Sequence, residues 1–454
     1  MTEVWRNWSG SEQARPVRVL RPTSTDEVAA AIADAARDGL RVKAIGSGHS
    51  FSGAAVASGV QLRLDRLAGL RSVDAESGLV TVDAGMPLWR LGPLLASHGL
   101  AMEIMGDIDR QTVSGAISTG THGSGLRFGG IATQVRALKL VLADGSVVRC
   151  SADERPELFR AARVGLGALG VVTEVTLQCV EQFALHARDT AMPVAEVLDR
   201  VDELTEENDH FEFFWFPHSE NALTRRFRRL PATTPLKPIG ALARRVDETV
   251  SGLGFEGLLR LGTAVPALVP PIARFAARAM SAREFTDLSP RVFASPRDVR
   301  FHEGEFAIPR EHAVDALREI KRWIDTTGER VSFPLEVRFA APDDITLSTA
   351  QGRESCYIAF HQYHRMPYRR YFDACESILG SYGGRPHWGK MHTLGAEALR
   401  SRYAHFEDFV ALRDTLDPTG LFANPYLDRV LGLAPEAVPV TAGRASAVRG
   451  VGPM

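Results

Sequence analysis

The chain has 454 residues, of which 45% are apolar and 24% are charged, and its formal net charge is −2. This length predicts two domains rather than one core, and the near-neutral charge argues against a nucleic-acid-binding protein. The four cysteines form no CxxC pair, which disfavours a metal site or disulfide framework and suits the cytoplasm. No signal-peptide pattern precedes Pro16, and no uncharged apolar run reaches the roughly 18 residues of a membrane span.

Helical and strand patterns alternate from residue 22 to residue 180. Ser24, with Glu27 three residues on, is expected to cap a helix that ends at Gly39. Many short strands mixed with helices indicate an α+β fold rather than a doubly wound sheet. The predicted strands in this part are 41–45, 60–64, 79–82, 135–141 and 171–177, and a second helix is predicted at 89–97. Residues 143–146 predict a hairpin turn after the strand at 135–141.

The segment Gly46-Ser47-Gly48-His49-Ser50 follows the first of these strands. Gly46 and Gly48 let backbone amides approach an anionic group and hold His49 beside it. The pattern departs from the GxGxxG dinucleotide fingerprint, because Phe51 replaces the third glycine and we expect no strand–helix–strand unit around it. It indicates a phosphate-bearing ring cofactor with a nucleophilic histidine at its edge. A loop histidine bonded only to backbone is the alternative.

Residues 112–125 form a second glycine-rich segment, in which small hydroxyl residues alternate with four glycines. Hydroxyl groups and free backbone amides together suit a diphosphate without requiring a cationic side chain. A series of tight β-turns is the alternative interpretation of the segment. The sequence therefore offers two loops that suit one phosphate-bearing ligand.

From about residue 181 the pattern changes, and a second, substrate-facing domain is expected. A loose, basic and proline-rich stretch is predicted at 225–300. Within it, Leu259 to Met280 fits a pair of amphipathic helices, with a membrane-surface contact as the alternative. The other predicted elements are strands at 211–216, 300–306, 331–340 and 357–363 and helices at 311–326 and 368–379.

Ser332 to Phe339 carries an acid and a guanidinium two residues apart on an apolar strand. Strand alternation places Glu336 and Arg338 on the face opposite the apolar side chains. Such a pair is suited to fixing a hydroxylated or carbonyl-bearing ligand. A solvated strand face with a weak surface ion pair is the alternative.

The pentapeptide Pro-His-Trp-Gly-Lys begins at Pro386 and is unusual. A turn at Gly389 brings His387 and Lys390 toward one point; an aromatic side chain packed on a turn is the alternative. Further upstream, His361 lies on a predicted strand, and its spacing from the next histidine does not suit a helical zinc site.

Together, these stretches resemble flavoprotein oxidoreductases of the vanillyl-alcohol oxidase family, in particular its sugar-lactone branch of D-arabinono-1,4-lactone and L-gulono-1,4-lactone oxidases or dehydrogenases. The resemblance covers about residues 5–433, with the motifs in the family's order. It implies a two-domain, PCMH-type FAD-binding fold with an α/β cap domain that carries an antiparallel sheet.

The resemblance implies FAD as the cofactor and no metal. In that family the histidine of the first loop is joined covalently to the 8α-carbon of FAD, and His49 matches it. His387 matches a flavin-contacting histidine, and Gly106 a position where a small residue controls oxygen access. The implied cofactor-binding residues are Ala44, Ile45, Gly46, Ser47, Gly48, His49, Ser50, Gly106, Thr112, Gly115, Ser118, Thr121, His122, Gly123, Gly170, Val172 and His387.

Glu336, Arg338 and Lys390 match the family's substrate-site acid and cations and are the implied catalytic residues. Thr112, His361 and Lys390 are the implied substrate-binding residues. The implied reaction is oxidation of the C2 hydroxyl of an aldono-1,4-lactone (D-arabinono-, L-gulono- or L-galactono-) by hydride transfer to flavin N5. The cations would stabilise developing negative charge, and Glu336 would orient the hydroxyl or accept its proton. The alternatives are a peroxide-producing alditol oxidase and a flavin-binding interaction protein without turnover.

The expected organisation is an FAD-binding domain at 1–180, a substrate (cap) domain at 181–385, a segment at 386–433 that returns to the first domain, and a flexible tail at 434–454. The expected partners are a sugar lactone or polyol and an electron acceptor, either oxygen or a redox protein or quinone, with no nucleic acid. The sequence leaves open the oligomeric state and a peripheral membrane contact of a cytoplasmic protein.

Overall fold

A computed structural model describes residues 3–240, 252, 254–279, 282–295 and 299–435. The predicted flexible tail lies outside these residues from 436 onward. The described residues contain three larger sheets and two short strand pairs. Their strands are β1 Trp5–Arg6, β2 Gln13–Ala14, β3 Arg18–Leu20, β4 Val42–Ile45, β5 Val60–Arg63, β6 Leu70–Asp74, β7 Leu79–Asp83, β8 Leu100–Ala101, β9 Val135–Val141, β10 Val147–Ser151, β11 Val171–Gln178, β12 Val180–Glu181, β13 Phe183–Pro193, β14 His210–Trp215, β15 Asn221–Pro231, β16 Arg283–Leu288, β17 Phe301–Pro309, β18 Leu335–Ala340, β19 Ser355–Tyr363 and β20 Arg385–Pro386.

The α-helices are mostly short and lie against the faces of these sheets. In the described part of the chain, no helix combines the length and the apolar character needed to cross a bilayer. The helices are α1 Thr25–Arg37, α2 Leu88–Ala96, α3 Val113–Ser118, α4 Pro156–Ala162, α5 Val194–Asp199, α6 Val201–Glu206, α7 Phe255–Ala264, α8 Val269–Ala279, α9 Ser289–Phe293, α10 Ala313–Thr327, α11 Arg369–Ser381, α12 Ala396–Arg400, α13 Phe406–Leu416 and α14 Pro425–Leu431.

A three-stranded parallel sheet carries the first glycine loop. Its order is β3-β5-β4, and α1 connects β3 to β4. The expectation that no strand–helix–strand unit surrounds this loop is therefore wrong. Strands β3 and β4 are parallel, but β5 lies between them in the sheet, and the sequence pattern of the strands does not reveal this order. The helix begins as predicted, because the Ser24 side chain accepts a hydrogen bond from the Glu27 N–H, and it ends before Gly39, whose φ is +64°.

A five-stranded antiparallel sheet, in the order β10-β9-β11-β7-β6, lies beside the parallel sheet. The predicted hairpin is present between β9 and β10, with Gly145 at a φ of +82°. The C-terminal segment packs on this half of the molecule: Val42 donates its N–H to the Leu421 carbonyl at 2.7 Å, and Phe409 shares a core cluster with Leu138. The predicted domain boundaries remain predictions.

An eight-stranded antiparallel sheet forms the other half, in the order β16-β13-β15-β14-β18-β19-β17-β20. Helices α10 and α11 cover it through a separate apolar cluster. The predicted strand at 331–340 begins only at Leu335. The prediction of a loose stretch at 225–300 is wrong for its described residues, because β15, α7, α8 and β16 occupy it; the predicted helix pair is α7 and α8. Pro266, Pro270, Pro271 and Pro290 lie in the first turns of helices, where proline is compatible with regular structure.

Candidate active site

An open cleft with about 790 Å³ of unfilled space lies at the carboxyl end of β4. Its walls come from the loop after β4, from the start of α3 and from the loop before β11. These three segments are far apart in sequence, and the parallel sheet and the five-stranded sheet bring them together. The cleft therefore joins the two glycine-rich segments that the sequence indicated as one ligand site.

Glycine is required where the two segments touch. A Cβ atom on Gly46 would lie 2.5 Å from the Thr112 Oγ1, and one on Gly115 would lie 2.9 Å from the same atom. The Thr112 hydroxyl accepts a hydrogen bond from the Gly115 N–H at 3.2 Å and so caps α3. Its hydroxyl is thus engaged within the cleft wall, and its predicted contact with substrate remains a prediction.

The first loop presents a row of unpaired backbone donors. Among the described residues, no group accepts a hydrogen bond from the backbone N–H of Ser47, Gly48, His49 or Ser50. Gly48 has a φ of +74°, a conformation that glycine adopts without strain. Consecutive free N–H groups at a turn form a concave site for an anion. The cleft therefore fits the diphosphate of a dinucleotide such as FAD.

Most of the predicted cofactor-binding residues line this cleft, but five do not: Gly106, Thr121, His122, Gly123 and His387. Gly106 and Gly123 border a smaller cavity beside Arg338 instead. The cleft-lining residues that were predicted are Ala44, Ile45, Gly46, Ser47, Gly48, His49, Ser50, Thr112, Gly115, Ser118, Gly170 and Val172, and those that were not are Lys43, Ala54, Ala55, Leu64, Gln111, Ser114, Thr119, Leu166, Gly167 and Val171.

Lys43 ties the cleft wall to the C-terminal segment. Its ammonium group donates to the carbonyls of Leu166, Gly167 and Phe422 at 3.1–3.2 Å. Burial lowers the pKa of Lys43 to about 7 against the opposing charges of two aspartates. A lysine within a strand carries no sequence signal for this role, so sequence analysis missed it.

The His49 end of the cleft meets the Pro-His-Trp-Gly-Lys turn. The Phe51 N–H donates to the Gly389 carbonyl at 2.7 Å, and a Cβ on Gly389 would lie 3.3 Å from the Ser50 Oγ. Burial, and then the charge of Arg110, lower the pKa of His49 below its usual 6.5. The imidazole is therefore neutral at pH 7, the form in which it acts as a nucleophile.

Lys390 follows Gly389 in the sequence, and its side chain belongs to a buried charge cluster that also contains Glu303, His361, Glu336 and Arg338. Its Nζ lies 2.5 Å from the Glu303 Oε1, and the His361 Nε2 lies 3.2 Å from the same oxygen. The other ring nitrogen of His361 contacts the Pro334 carbonyl at 2.9 Å. Burial alone would raise the pKa of Glu303, but Lys390 and His361 outweigh it and lower this pKa to about 2. The Glu303 carboxylate is therefore ionised.

Glu336 and Arg338 pair with one another inside the protein. Only 4% of Glu336 and 7% of Arg338 is exposed, so the alternative of a solvated surface pair is excluded. The Arg338 Nε also donates to the Glu212 Oε2 at 2.8 Å, and Asp107 lies 3.4 Å from the guanidinium. Burial opposes the charge of Arg338, but Glu336 and Glu212 raise its pKa above its usual value. The guanidinium therefore remains cationic.

His122 and His387 occupy the space between the cleft and this cluster. The His122 Nε2 lies 3.2 Å from the Glu305 Oε1, and its ring stacks on Tyr357 at 3.5 Å. The Gly389 N–H donates to the His387 Nδ1 at 3.0 Å. Burial lowers the pKa of His387 to about 4, so its ring is neutral at pH 7.

Two triads in the described residues bring possible metal-ligand atoms within 4.8 Å of one another: His122, Glu305 and His387, and Glu303, Glu336 and His361. The pairings above, between histidine and glutamate and with Lys390 and Arg338, already engage these groups. The expectation of no metal remains a prediction.

Sequence analysis missed three acids of this region. Glu303 pairs with Lys390, Glu212 pairs with Arg338, and Glu305 contacts His122. Glu303 and Glu305 lie two residues apart on β17, which is otherwise largely apolar. The same pattern drew attention to Glu336 and Arg338, so this signal was available at β17. On β14, the aromatic residues around Glu212 obscured the same signal.

Two family models match the chain. The model described as D-arabinono-1,4-lactone oxidase matches residues 175–430, and the model described as FAD binding domain matches residues 16–151. The chain is 44% identical over 432 residues to an L-gulono-1,4-lactone dehydrogenase of Mycobacterium tuberculosis, which covers 95% of this chain and 100% of the relative. It is 32% identical over 448 residues to an alditol oxidase of a Streptomyces species, again covering 95% and 100%.

The fold is also that of a solved structure. Cholesterol oxidase from B. sterolicum superposes with a TM-score of 0.81 at 15% identity, over 95% of this chain and 97% of that chain. The predicted α+β fold with an FAD-binding domain and an antiparallel sheet is thereby confirmed, as is the family resemblance found in the sequence. The chain belongs to the D-arabinono-1,4-lactone oxidase family.

Proposed function

We propose that the protein catalyses the FAD-dependent oxidation of an aldono-1,4-lactone at its C2 hydroxyl. The observation that carries this proposal is the direct contact between the His49 end of the cofactor cleft and the Gly389–Lys390 turn, through which the cleft adjoins the Glu303, His361, Glu336 and Arg338 cluster. The relative from Mycobacterium tuberculosis, whose name includes a lactone, supports this substrate class.

The cleft residues fit FAD through backbone rather than through side-chain charge. The free N–H groups of Ser47 to Ser50 suit the diphosphate, and the close approach of Gly46 to Thr112 keeps the adjoining wall narrow. FAD, when bound, supplies the two-electron acceptor that takes a hydride from the carbon bearing the hydroxyl.

The charge cluster would position the substrate and provide the electrostatic environment for that hydride transfer. Lys390 and Arg338 pair with buried carboxylates beside the cleft, where they are positioned to stabilise negative charge that grows as the carbonyl forms. Glu336 orients the C2 hydroxyl or accepts its proton. His361 has both ring nitrogens engaged, by Pro334 and by Glu303, so we expect it to contact substrate through its ring carbons beside Lys390. Because these groups are held before substrate arrives, little reorganisation accompanies the reaction.

We also propose that His49 is joined covalently to FAD. Forming this bond links a ring nitrogen of His49 to the 8α-carbon and releases one proton from each atom. The two electrons left behind pass to the acceptor that also completes turnover, which is molecular oxygen or a redox protein or quinone. The lowered pKa of His49 supports this proposal, because it leaves a free electron pair on the ring at pH 7.

The covalent bond is tested by denaturing the purified protein in acid. We expect yellow, fluorescent flavin to stay with the polypeptide, and to be released from the variant His49→Ala. Flavin that separates completely from the wild-type chain would contradict the bond while leaving the oxidation itself open.

The reaction is tested by mixing the protein anaerobically with candidate substrates and following flavin absorbance. We expect L-gulono-, D-arabinono- or L-galactono-1,4-lactone to bleach the flavin faster than xylitol does. Faster bleaching by xylitol would favour an alditol oxidase, the name of the Streptomyces relative. No bleaching by any lactone or polyol would favour a flavin-binding protein without turnover. Re-oxidation by air, with peroxide as product, then identifies or excludes oxygen as the acceptor.

A peripheral membrane contact at α7 and α8 is a further proposal about a cytoplasmic protein. Leu261, Val265 and Phe275 are exposed on this helix pair, and Arg274 and Arg278 lie on the same pair. Sedimentation with vesicles that contain anionic lipid tests it, with Phe275→Ser as the variant. We expect the wild type to sediment with the vesicles and the variant to remain in the supernatant.

A further inference from the structure

The extreme N-terminal part of the chain holds both sides of His49. We call residues 5–12 the N-terminal clamp. The Trp8 N–H donates to the Gly48 carbonyl at 2.8 Å, and the Asn7 Nδ2 donates to the Ser50 carbonyl at 2.9 Å. These two carbonyls flank His49 in sequence. The clamp therefore restrains the backbone on each side of this one residue.

The clamp is itself rigidly held. Asn7 is only 5% exposed; its Oδ1 accepts from the Glu12 N–H at 3.0 Å, and its Nδ2 also lies 2.9 Å from the Ser11 Oγ. Ser11 in turn donates to the Phe51 carbonyl at 3.2 Å. Because the donor groups are fixed by bonds within the clamp, they do not need to be ordered when a cofactor binds.

The rings of Trp5 and Trp8 also contact the glycine loop that carries His49. The Trp5 ring packs against Gly48, where a Cβ would lie 3.3 Å from the indole. The Trp8 ring stacks on the His49 imidazole, with ring centroids 6.1 Å apart and planes inclined by 28°. The Trp8 ring also meets the Phe301 ring edge to face, with ring centroids 5.3 Å apart. Trp8 thus contacts both the imidazole and the first residue of β17 in the eight-stranded sheet.

We propose that Trp8 is a positioning residue that fixes the His49 imidazole in the orientation needed for bond formation with FAD. This inference rests on the covalent bond proposed above. A freely rotating imidazole would sample several rotamers, and those that turn both ring nitrogens away from bound FAD would be unable to form the bond. Holding that rotamer in advance removes its entropic cost from the bond-forming step, in which misplacement by about 1 Å is able to cost up to roughly 100-fold in rate.

The test measures the rate of covalent attachment rather than substrate turnover. Apoprotein from riboflavin-starved cells is mixed with saturating FAD in air, and samples are precipitated in acid over time to measure the flavin retained on the polypeptide. We expect Trp8→Ala to slow attachment at least about tenfold. Trp8→Phe keeps an aromatic ring against the imidazole and should stay within about threefold of the wild type.

Controls separate positioning from a loss of fold. Trp323→Ala removes an indole of the same size from α10, remote from the cleft, and should attach FAD at the wild-type rate. Non-covalent FAD binding by Trp8→Ala, measured by flavin fluorescence before acid, should be retained. If Trp8→Ala attaches FAD at the wild-type rate, or if Trp8→Phe is as slow as Trp8→Ala, the inference is wrong. If the wild type attaches no FAD at all, the covalent bond is refuted and the inference with it.

Discussion

The cofactor cleft and the charge cluster beside it are built in opposite ways. The cleft is lined by backbone N–H groups, glycines and small side chains, most of which come from short continuous stretches of chain. Its shape depends on the close approach of these stretches to one another, as where Gly46 meets Thr112. The cluster uses charged side chains from separate strands, buried together so that each acid holds a cation. In the proposed function, the backbone geometry of the cleft would bind the cofactor, whereas the charged side chains of the eight-stranded sheet would contact the substrate.

The largest expected effect is in the cluster, from Arg338→Met. This change leaves Glu336 and Glu212 buried beside an apolar side chain, and we expect a loss of about 3–5 kcal/mol in the free energy of unfolding. Urea unfolding measures it. The separation of the two regions also predicts that the folded variant retains covalent flavin. If the variant loses its flavin but keeps its stability, the cleft and the cluster are not separate as we expect.

Lys390→Met should act on chemistry more than on stability, because the Glu303 carboxylate keeps His361 as a second partner and the Lys390 side chain is itself partly exposed. Removing a cation that faces developing negative charge should lower the rate of anaerobic flavin reduction by a lactone about 100- to 1,000-fold. Stopped-flow absorbance measures this rate. Lys321→Met, which removes a lysine from an exposed ion pair on α10, serves as the control and should reduce at the wild-type rate. A wild-type rate for Lys390→Met would exclude its proposed role.

Gly46→Ala should affect the cleft alone. The added methyl group meets the Thr112 Oγ1 at 2.5 Å, which should cost about 1–3 kcal/mol of FAD affinity. Titration with FAD in a His49→Ala background measures non-covalent affinity. The double change Gly46→Ala and Thr112→Ala removes the clash and should recover part of the loss. Gly257→Ala, at a glycine with open space around it, is the matched control.

The pH dependence of flavin attachment should be the smallest effect. The pKa of His49 lies below its usual 6.5, so the neutral ring is the majority form from pH 8 to pH 6.5 and the protonated form dominates only at lower pH. The attachment rate should therefore keep more than half of its pH 8 value down to pH 6.5 and fall as pH drops further. Acid-precipitated flavin at pH 8, 6.5 and 5 measures it. A rate that already halves above pH 6.5 would show that His49 is not held as the structure indicates.

Sequence analysis was most successful where the determinants are local. The helix cap at Ser24, the hairpin at Gly145 and the glycine loop after β4 depend on residues within a few positions of one another. It was wrong about the surroundings of that loop and about the stretch 225–300. The first error concerns a parallel sheet whose middle strand, β5, comes last in sequence, and the second concerns a stretch in which β16 pairs with β13, far earlier in the chain.

From the residues alone, we predicted an α+β fold, a phosphate-bearing cofactor and the two glycine-rich segments of its cleft, because strand and helix patterns and short glycine motifs act over neighbouring residues. The acids that pair with Lys390 and Arg338, and the packing of Trp8 on His49, are visible only in the folded chain. These contacts arise from sheet pairing and burial across the whole chain. Such pairing depends on long-range packing that no local pattern encodes.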